Sequence, residues 1–172
     1  MFGFFKRSKR QRDFGSEMAI TGLENISDAI DKNSIELEPG RMFDDVYSHF
    51  DKPDGVPRVT YVMFSPSIKN EVIARCAIIL ERSIDGVGVW SIDWAVKDSY
   101  RGQGFGTAIA TKASLEFTNG MKPQIQNGFY FEAIVSKNNL ASNQIASKLL
   151  GNVKTITNPE TKEIVNNYMT KL

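Results

Sequence analysis

Gly102, Gly104 and Gly106 alternate within Tyr100-Arg101-Gly102-Gln103-Gly104-Phe105-Gly106-Thr107, between an apolar run from Trp90 to Val96 and a helix-like run from Thr107 to Asn119. Glycine lacks the Cβ that would hold a ligand away, so successive N–H groups at a strand-to-helix junction can converge on an anion at the positive end of the new helix. The chemistry expected of this stretch is phosphate binding. A P-loop would need Lys-Ser or Lys-Thr after its last glycine, and Thr107-Ala108 stands there instead. A dinucleotide fingerprint needs Gly-x-Gly-x-x-Gly and a second βαβ unit, and neither is present. Two carboxylates near the loop could move a proton. Asp93 shares a strand face with Val89, Ser91 and Ala95, and Glu132 shares one with Tyr130 and Ile134. Each could equally serve in a structural ion pair.

The elements that must position these residues follow from the hydrophobic pattern. Val59 to Phe64, Glu71 to Leu80 and Val87 to Val96 predict three strands with short connections, an antiparallel meander. Ile109, Ala113 and Phe117 mark the buried face of the helix after the loop, which Asn119-Gly120 is expected to stop. Phe129 to Val135 predicts a further strand. Asn139 can cap a helix carrying Ser142, Ile145, Ala146 and Leu149 inward and ending at Gly151. Val153 to Ile156 and Ile164 to Met169 predict a closing hairpin. Upstream, Ser27 can cap a short helix through Asn33, and Met42, Phe43, Val46, Tyr47 and Phe50 repeat at helical spacing after Pro39-Gly40. His49 lies beside that stripe as a surface or capping residue, and Asp44 and Asp45 lie on a solvated face or meet a cationic substrate.

Arg101, Gly104 and Gly106 fill the pattern Arg or Gln, two residues, Gly, one residue, Gly or Ala. That segment resembles the acyl-CoA loop of the GNAT N-acetyltransferase superfamily. A second matching block follows about thirty residues on, in the strand from Phe129 and then Asn139-Leu140-Ala141-Ser142 and Lys148-Leu149-Leu150-Gly151. The resemblance covers roughly residues 72 to 151 and leaves the N-terminal third unmatched. It implies an α+β fold in a single domain over 16–172, preceded by a basic tail over 1–15. Its central, largely antiparallel sheet of about six or seven strands would be splayed at the cofactor site and flanked by about four helices. It further implies acetyl-CoA as co-substrate, with no metal. Val96 would pair with the pantetheine arm through its backbone, and Arg101, Gly102, Gln103, Gly104, Phe105, Gly106 and Thr107 would face the pyrophosphate. Asn139 would touch the arm or cap its helix. The implied reaction is direct attack of a primary amine on the thioester, with Asp93 or Glu132 relaying its proton. Many relatives protonate the departing thiolate with a tyrosine where this chain has Ala146; Ser142 or Tyr168 could substitute, the thiolate could leave without an acid, or the protein is a non-catalytic acyl-CoA-binding module.

The 172 residues are 41% hydrophobic and 24% charged with a formal charge of +1, an ordinary soluble composition. Lys6, Arg7, Lys9, Arg10 and Arg12 concentrate basic charge before Asp13, so the remaining body is slightly acidic and is no general nucleic-acid binder. With Met1-Phe2-Gly3-Phe4-Phe5 they could touch an anionic membrane surface through residues 1–12, or form a solvated tail. Cys76, the only cysteine, and the lone His49 supply neither a disulfide nor a zinc site, and Cys76 reads as a small buried hydrophobe. No apolar run reaches the roughly 20 residues of a membrane span. A cytoplasmic monomer or homodimer acting on an amine acceptor is the expectation.

Overall fold

The computed structural model describes residues 13–172. One eight-stranded sheet forms its centre, in the order β1-β2-β3-β4-β5-β6-β8-β7. The strands are β1 Glu38–Pro39, β2 Tyr47–Asp51, β3 Arg58–Phe64, β4 Val72–Ile84, β5 Val87–Val96, β6 Tyr130–Ser136, β7 Val153–Thr157 and β8 Ile164–Lys171. All neighbours are antiparallel except β5 and β6. The meander follows from the short connections, the tightest being the Asp85-Gly86 turn that brings Ile84 opposite Val87. Three α-helices are described: α1 Phe14–Asp31, α2 Phe105–Met121 and α3 Leu140–Leu150. The α+β class is as expected, with one strand more and one helix fewer among the described residues than the sequence suggests.

The two sheet faces carry different cores. On one side α2 and α3 cover Trp90, Ile92, Phe129 and Phe131, where the Phe117 ring meets Trp90 at 4.8 Å between centroids and Phe129 at 5.5 Å. On the other, Ala19 and Leu23 of α1 pack with Val62, Val72 and Ala95. Cys76 is fully buried and burial pushes its thiol well up, so it behaves as a core hydrophobe. No helix of the described residues is long and apolar enough to cross a membrane.

The N-terminal third is where the structure departs from the sequence reading. The helix expected to start at Ser27 starts at Phe14, because Asp13 Oδ1 accepts the Ser16 N–H (2.9 Å) and Ala19, Leu23, Ile26 and Ile30 extend the buried stripe upstream. The cap thus falls inside the expected tail, and the basic cluster of residues 6–12 lies outside the described residues. The segment with helical spacing from Met42 to Phe50 ends in a strand, β2, paired with β3 from Tyr47 opposite Val62 to Asp51 opposite Arg58. The ladder with β3 takes the place of a helix here, and the buried Glu116 carboxylate of α2 fixes the segment before it, accepting the N–H groups of Arg41 (3.1 Å), Met42 (2.7 Å) and Phe43 (2.9 Å). Asp45 pairs with Lys112 at 2.5 Å, and His49 Nδ1 meets the Glu36 carbonyl at 3.0 Å in an exposed position. Helix α2 begins two residues before the expected Thr107 and runs through Gly120.

Candidate functional site

Strands β5 and β6 pair only where Val89, Trp90 and Ser91 face Tyr130, Phe131 and Glu132. Beyond that point β5 continues to Val96 along β4, and β6 continues to Ser136 along β8. The two parallel strands therefore diverge, leaving a wedge-shaped gap in an otherwise continuous sheet. Among the described residues, Ile92–Val96 and Ala133–Ser136 have no strand partner across it. Backbone groups on such an open edge can pair with an extended ligand as they would with another strand.

The glycine loop stands at the mouth of the gap. Gly102 has φ +74° and Gly104, the N-cap of α2, has φ +87°, a left-handed conformation that a Cβ would strain. A Cβ at either position would meet nothing within 4 Å, so the space in front of the loop is open. The first helical bond runs from the Ala108 N–H to the Gly104 carbonyl (3.0 Å), and no side chain caps the helix. The amides of Phe105, Gly106 and Thr107 are thus left for an external acceptor at the positive end of the helix dipole. Gly106 has a different task. A Cβ there would sit 3.2 Å from Ile145 Cδ1 and 3.5 Å from Val96 Cγ2, so its absence lets the helix start lie against α3 and β5.

Side chains brace the loop from below. The Tyr100 hydroxyl donates to Glu71 Oε2 (2.6 Å) and lies 2.9 Å from Ser65 Oγ, while Lys97 Nζ pairs with Glu71 Oε1. Lys97 and Tyr100 together hold the Glu71 carboxyl below its ordinary pKa. Tyr100 also meets Phe105 edge to face at 5.9 Å. Gln103 Nε2 donates to the Ser99 carbonyl at 3.2 Å. Sequence reasoning missed Glu71, Lys97 and Tyr100 as loop supports, and their separation along the chain gave no signal for Glu71. Arg101 turns back on the strand, donating from Nε to the Val96 carbonyl (3.3 Å) and pairing with Asp98 (3.1 Å). The expected free backbone at Val96 is therefore partly engaged by its own loop.

Asn139 completes the far side of the mouth. Its Oδ1 accepts the Ser142 N–H (3.1 Å), capping α3, and its Nδ2 donates to Ser16 Oγ (3.0 Å) on the first turn of α1. The cap role expected from the sequence is present, and the tie to α1 could not be read from it. Ser142 is half-buried on the same turn.

No protein-family model matches the sequence, and no curated protein matches it. Solved structures do resemble its fold. Some 67% of the chain superposes on 62% of RimL, a ribosomal L7/L12 alpha-N-protein acetyltransferase in complex with coenzyme A, with a TM-score of 0.52 at 18% identity. The same share superposes on 64% of a Vibrio cholerae protein described as a ribosomal-protein-serine acetyltransferase, with a TM-score of 0.51 at 13% identity. The chain has the GNAT fold. Its match spans less than two thirds of the length of either protein.

On this GNAT scaffold the two candidate carboxylates have different surroundings. Both lie on the α1 side of the sheet, Glu132 opposite Ser91 and Asp93 two residues further along β5. Asp93 Oδ1 accepts from Arg75 Nη1 at 2.5 Å, and its other oxygen makes no hydrogen bond among the described residues. The side chain keeps 40% of its surface open. Desolvation raises its pKa, with Arg75 pulling the other way. Glu132 is 2% exposed and fully engaged: Arg82 donates to both oxygens (2.6 and 2.8 Å) and Asn167 Nδ2 adds a third bond (2.8 Å). Burial alone would raise its pKa, but the bonds from Arg82 and Asn167 prevail and hold it down. A carboxylate stabilised as the anion in this way is a poor proton acceptor. Ala146 is fully buried and carries no acid, and the buried Tyr168 donates its hydroxyl to Asn143 Oδ1 (2.8 Å).

Arg82→Ala should strand the Glu132 anion and lower unfolding stability by about 3 kcal/mol at neutral pH. Because the folded pKa of Glu132 lies below its unfolded value, its contribution is present above the ordinary carboxylate pKa and is lost as pH falls through the folded one. The deficit of Arg82→Ala in chemical denaturation should therefore narrow in acid. A deficit that stays constant with pH would mean that Arg82 acts through packing alone.

Proposed function

We propose that this protein is an acetyl-CoA-dependent N-acetyltransferase acting on a primary amine. The observation that carries the reading is the gap between β5 and β6 opening beside an uncapped helix start behind two left-handed glycines. The open space before Gly102 and Gly104 fits a pyrophosphate, and the edge of β5 facing the gap, whose last carbonyl at Val96 is shared with Arg101 Nε, fits the amides of a pantetheine arm. The loop amides from Gly102 to Thr107 would hold the phosphates, Arg101 would add charge, and Asn139 would flank the arm. Bound there, acetyl-CoA supplies an activated acyl group for transfer.

What remains for the chain is to orient the amine and take its proton. A lysine-type amine with pKa near 10.4 costs roughly 4.6 kcal/mol to deprotonate at pH 7, and an α-amine near 8 only about 1.4. Asp93, with one oxygen unbonded among the described residues and a raised pKa, supports the role of proton acceptor better than Glu132 does. A thiol of pKa about 8.5 can leave as thiolate at a cost of about 2 kcal/mol, so the buried Ala146 in place of a tyrosine does not forbid turnover. The modest demand of an α-amine and the acceptors named for the similar folds favour a protein or peptide N-terminus. Ala146 favours the second reading, a non-catalytic acyl-CoA-binding module.

Incubation with acetyl-CoA and a panel of N-terminal peptides, lysine peptides and small amines, followed by free-thiol release, tests this. Thiol release with α-amine peptides supports the enzyme. Coenzyme A binding without release from any acceptor supports the module, and absence of binding overturns both.

A further inference from the structure

Asn143, one turn into α3, uses the whole hydrogen-bonding capacity of its side chain. Nδ2 donates to the carbonyls of Ser136 (2.9 Å) and Asn139 (2.8 Å), and Oδ1 accepts from Asn166 Nδ2 (2.8 Å) and the Tyr168 hydroxyl (2.8 Å). Two carbonyls need donors, so only one orientation of the amide satisfies all four partners. Those partners belong to three elements. Ser136 ends β6, Asn139 caps α3, and Asn166 and Tyr168 lie on β8. One side chain thus joins every element of the far wall of the gap, beyond the last pairing of β6 with β5 at Glu132.

Each wall is paired along its outer edge, β6 with β8 up to Ser136 opposite Val165 and on to the Lys137 N–H at the Ile164 carbonyl (3.2 Å). Strand β5 is paired with β4 up to Val96, and the Lys97 N–H continues the ladder to the Ile73 carbonyl at 2.8 Å. Two diverging parallel strands would otherwise gain hydrogen bonds by closing, since each unpaired backbone group does better with a partner. The carbonyl at the end of β6 is instead committed to α3, receiving both Asn143 Nδ2 and the Asn139 N–H (3.0 Å).

We propose that Asn143 is the positioning residue that keeps the gap open. It binds the end of β6 to α3 and β8 and so sets the spacing into which an extended ligand arm must fit. The ligand rests on the acyl-CoA reading above, but the wall itself does not.

The test pairs amide hydrogen exchange of the free protein with coenzyme A titration calorimetry, in wild type, Asn143→Ala and Leu150→Ala. Leu150 is buried at the other end of α3 and takes part in none of the four hydrogen bonds of Asn143, so its truncation loosens the helix and leaves that tie in place. In Asn143→Ala, exchange in a peptide spanning 130–143 should accelerate about tenfold while 87–97 stays unchanged, and coenzyme A should bind about tenfold more weakly. Leu150→Ala, with an equal or larger drop in Tm, should leave both within about threefold. Asn143→Ser retains one donor and should show about a third of the effect if the alanine variant does not fold. Wild-type exchange over 130–143 in the Asn143 variants, or equal changes in Leu150→Ala, overturns the proposal. If the wild type does not bind coenzyme A, the acyl-CoA reading fails and the exchange comparison alone decides the role of Asn143.

Discussion

Gly104→Val should weaken coenzyme A binding by about a hundredfold, equivalent to about 2.7 kcal/mol, with a loss of several degrees in Tm. Gly104 sits at φ +87°, where a residue with a Cβ pays on the order of 1 to 2 kcal/mol in strain. Relief of that strain would rotate the peptide planes on either side, and with them the amides that open α2. The added side chain would also project into the free space before the loop, since its Cβ would touch no protein atom within 4 Å. Strain and obstruction act on the same ligand, which is why the effect exceeds either alone. Gly104→Ala should fall between wild type and valine. Calorimetry with coenzyme A measures it, and unchanged affinity in the valine variant would remove the loop from the binding site.

Asp93→Asn should lower kcat/KM by about 10² at neutral pH once an acceptor is in hand, while coenzyme A affinity stays within about twofold. Asparagine keeps the shape and can still meet Arg75 through its oxygen, but it cannot take a proton. In wild type the rate should fall on the acid side as Asp93 protonates, at a pKa above the ordinary carboxylate value because desolvation outweighs Arg75. The variant should lose that acid limb and recover part of its rate at high pH, where the amine deprotonates unaided. Arg58 contributes to the same field and is itself tied to Asp51, so it should hold the limb steady across this range. A fully active Asp93→Asn variant would show that positioning suffices for an amine already neutral at working pH.

Local chemistry made much of this protein legible in its amino-acid order. The glycine loop, the helix after it, Asn139 as a cap, the β3 to β5 meander and the closing hairpin all depend on contacts within a few residues. Their periodicities and caps are visible without knowing what lies opposite. The segment from Met42 to Phe50 shows where this stops. Its apolar spacing suits a helix, yet β3 offers a ladder to Tyr47–Asp51, and a carboxylate some seventy residues away fixes the turn before it through the amides of Arg41 to Phe43. The same distance separates appearance from role at Glu132, a candidate base by type and face that Arg82, fifty residues earlier, holds as an anion. Residue types and short spacings therefore determined the loop and the class of ligand it suits. Tertiary structure decided the divergence of β5 and β6, the far wall tied by Asn143 and which carboxylate is held on both oxygens, because hydrogen bonds and ion pairs between distant segments exist only once the sheet has brought them together.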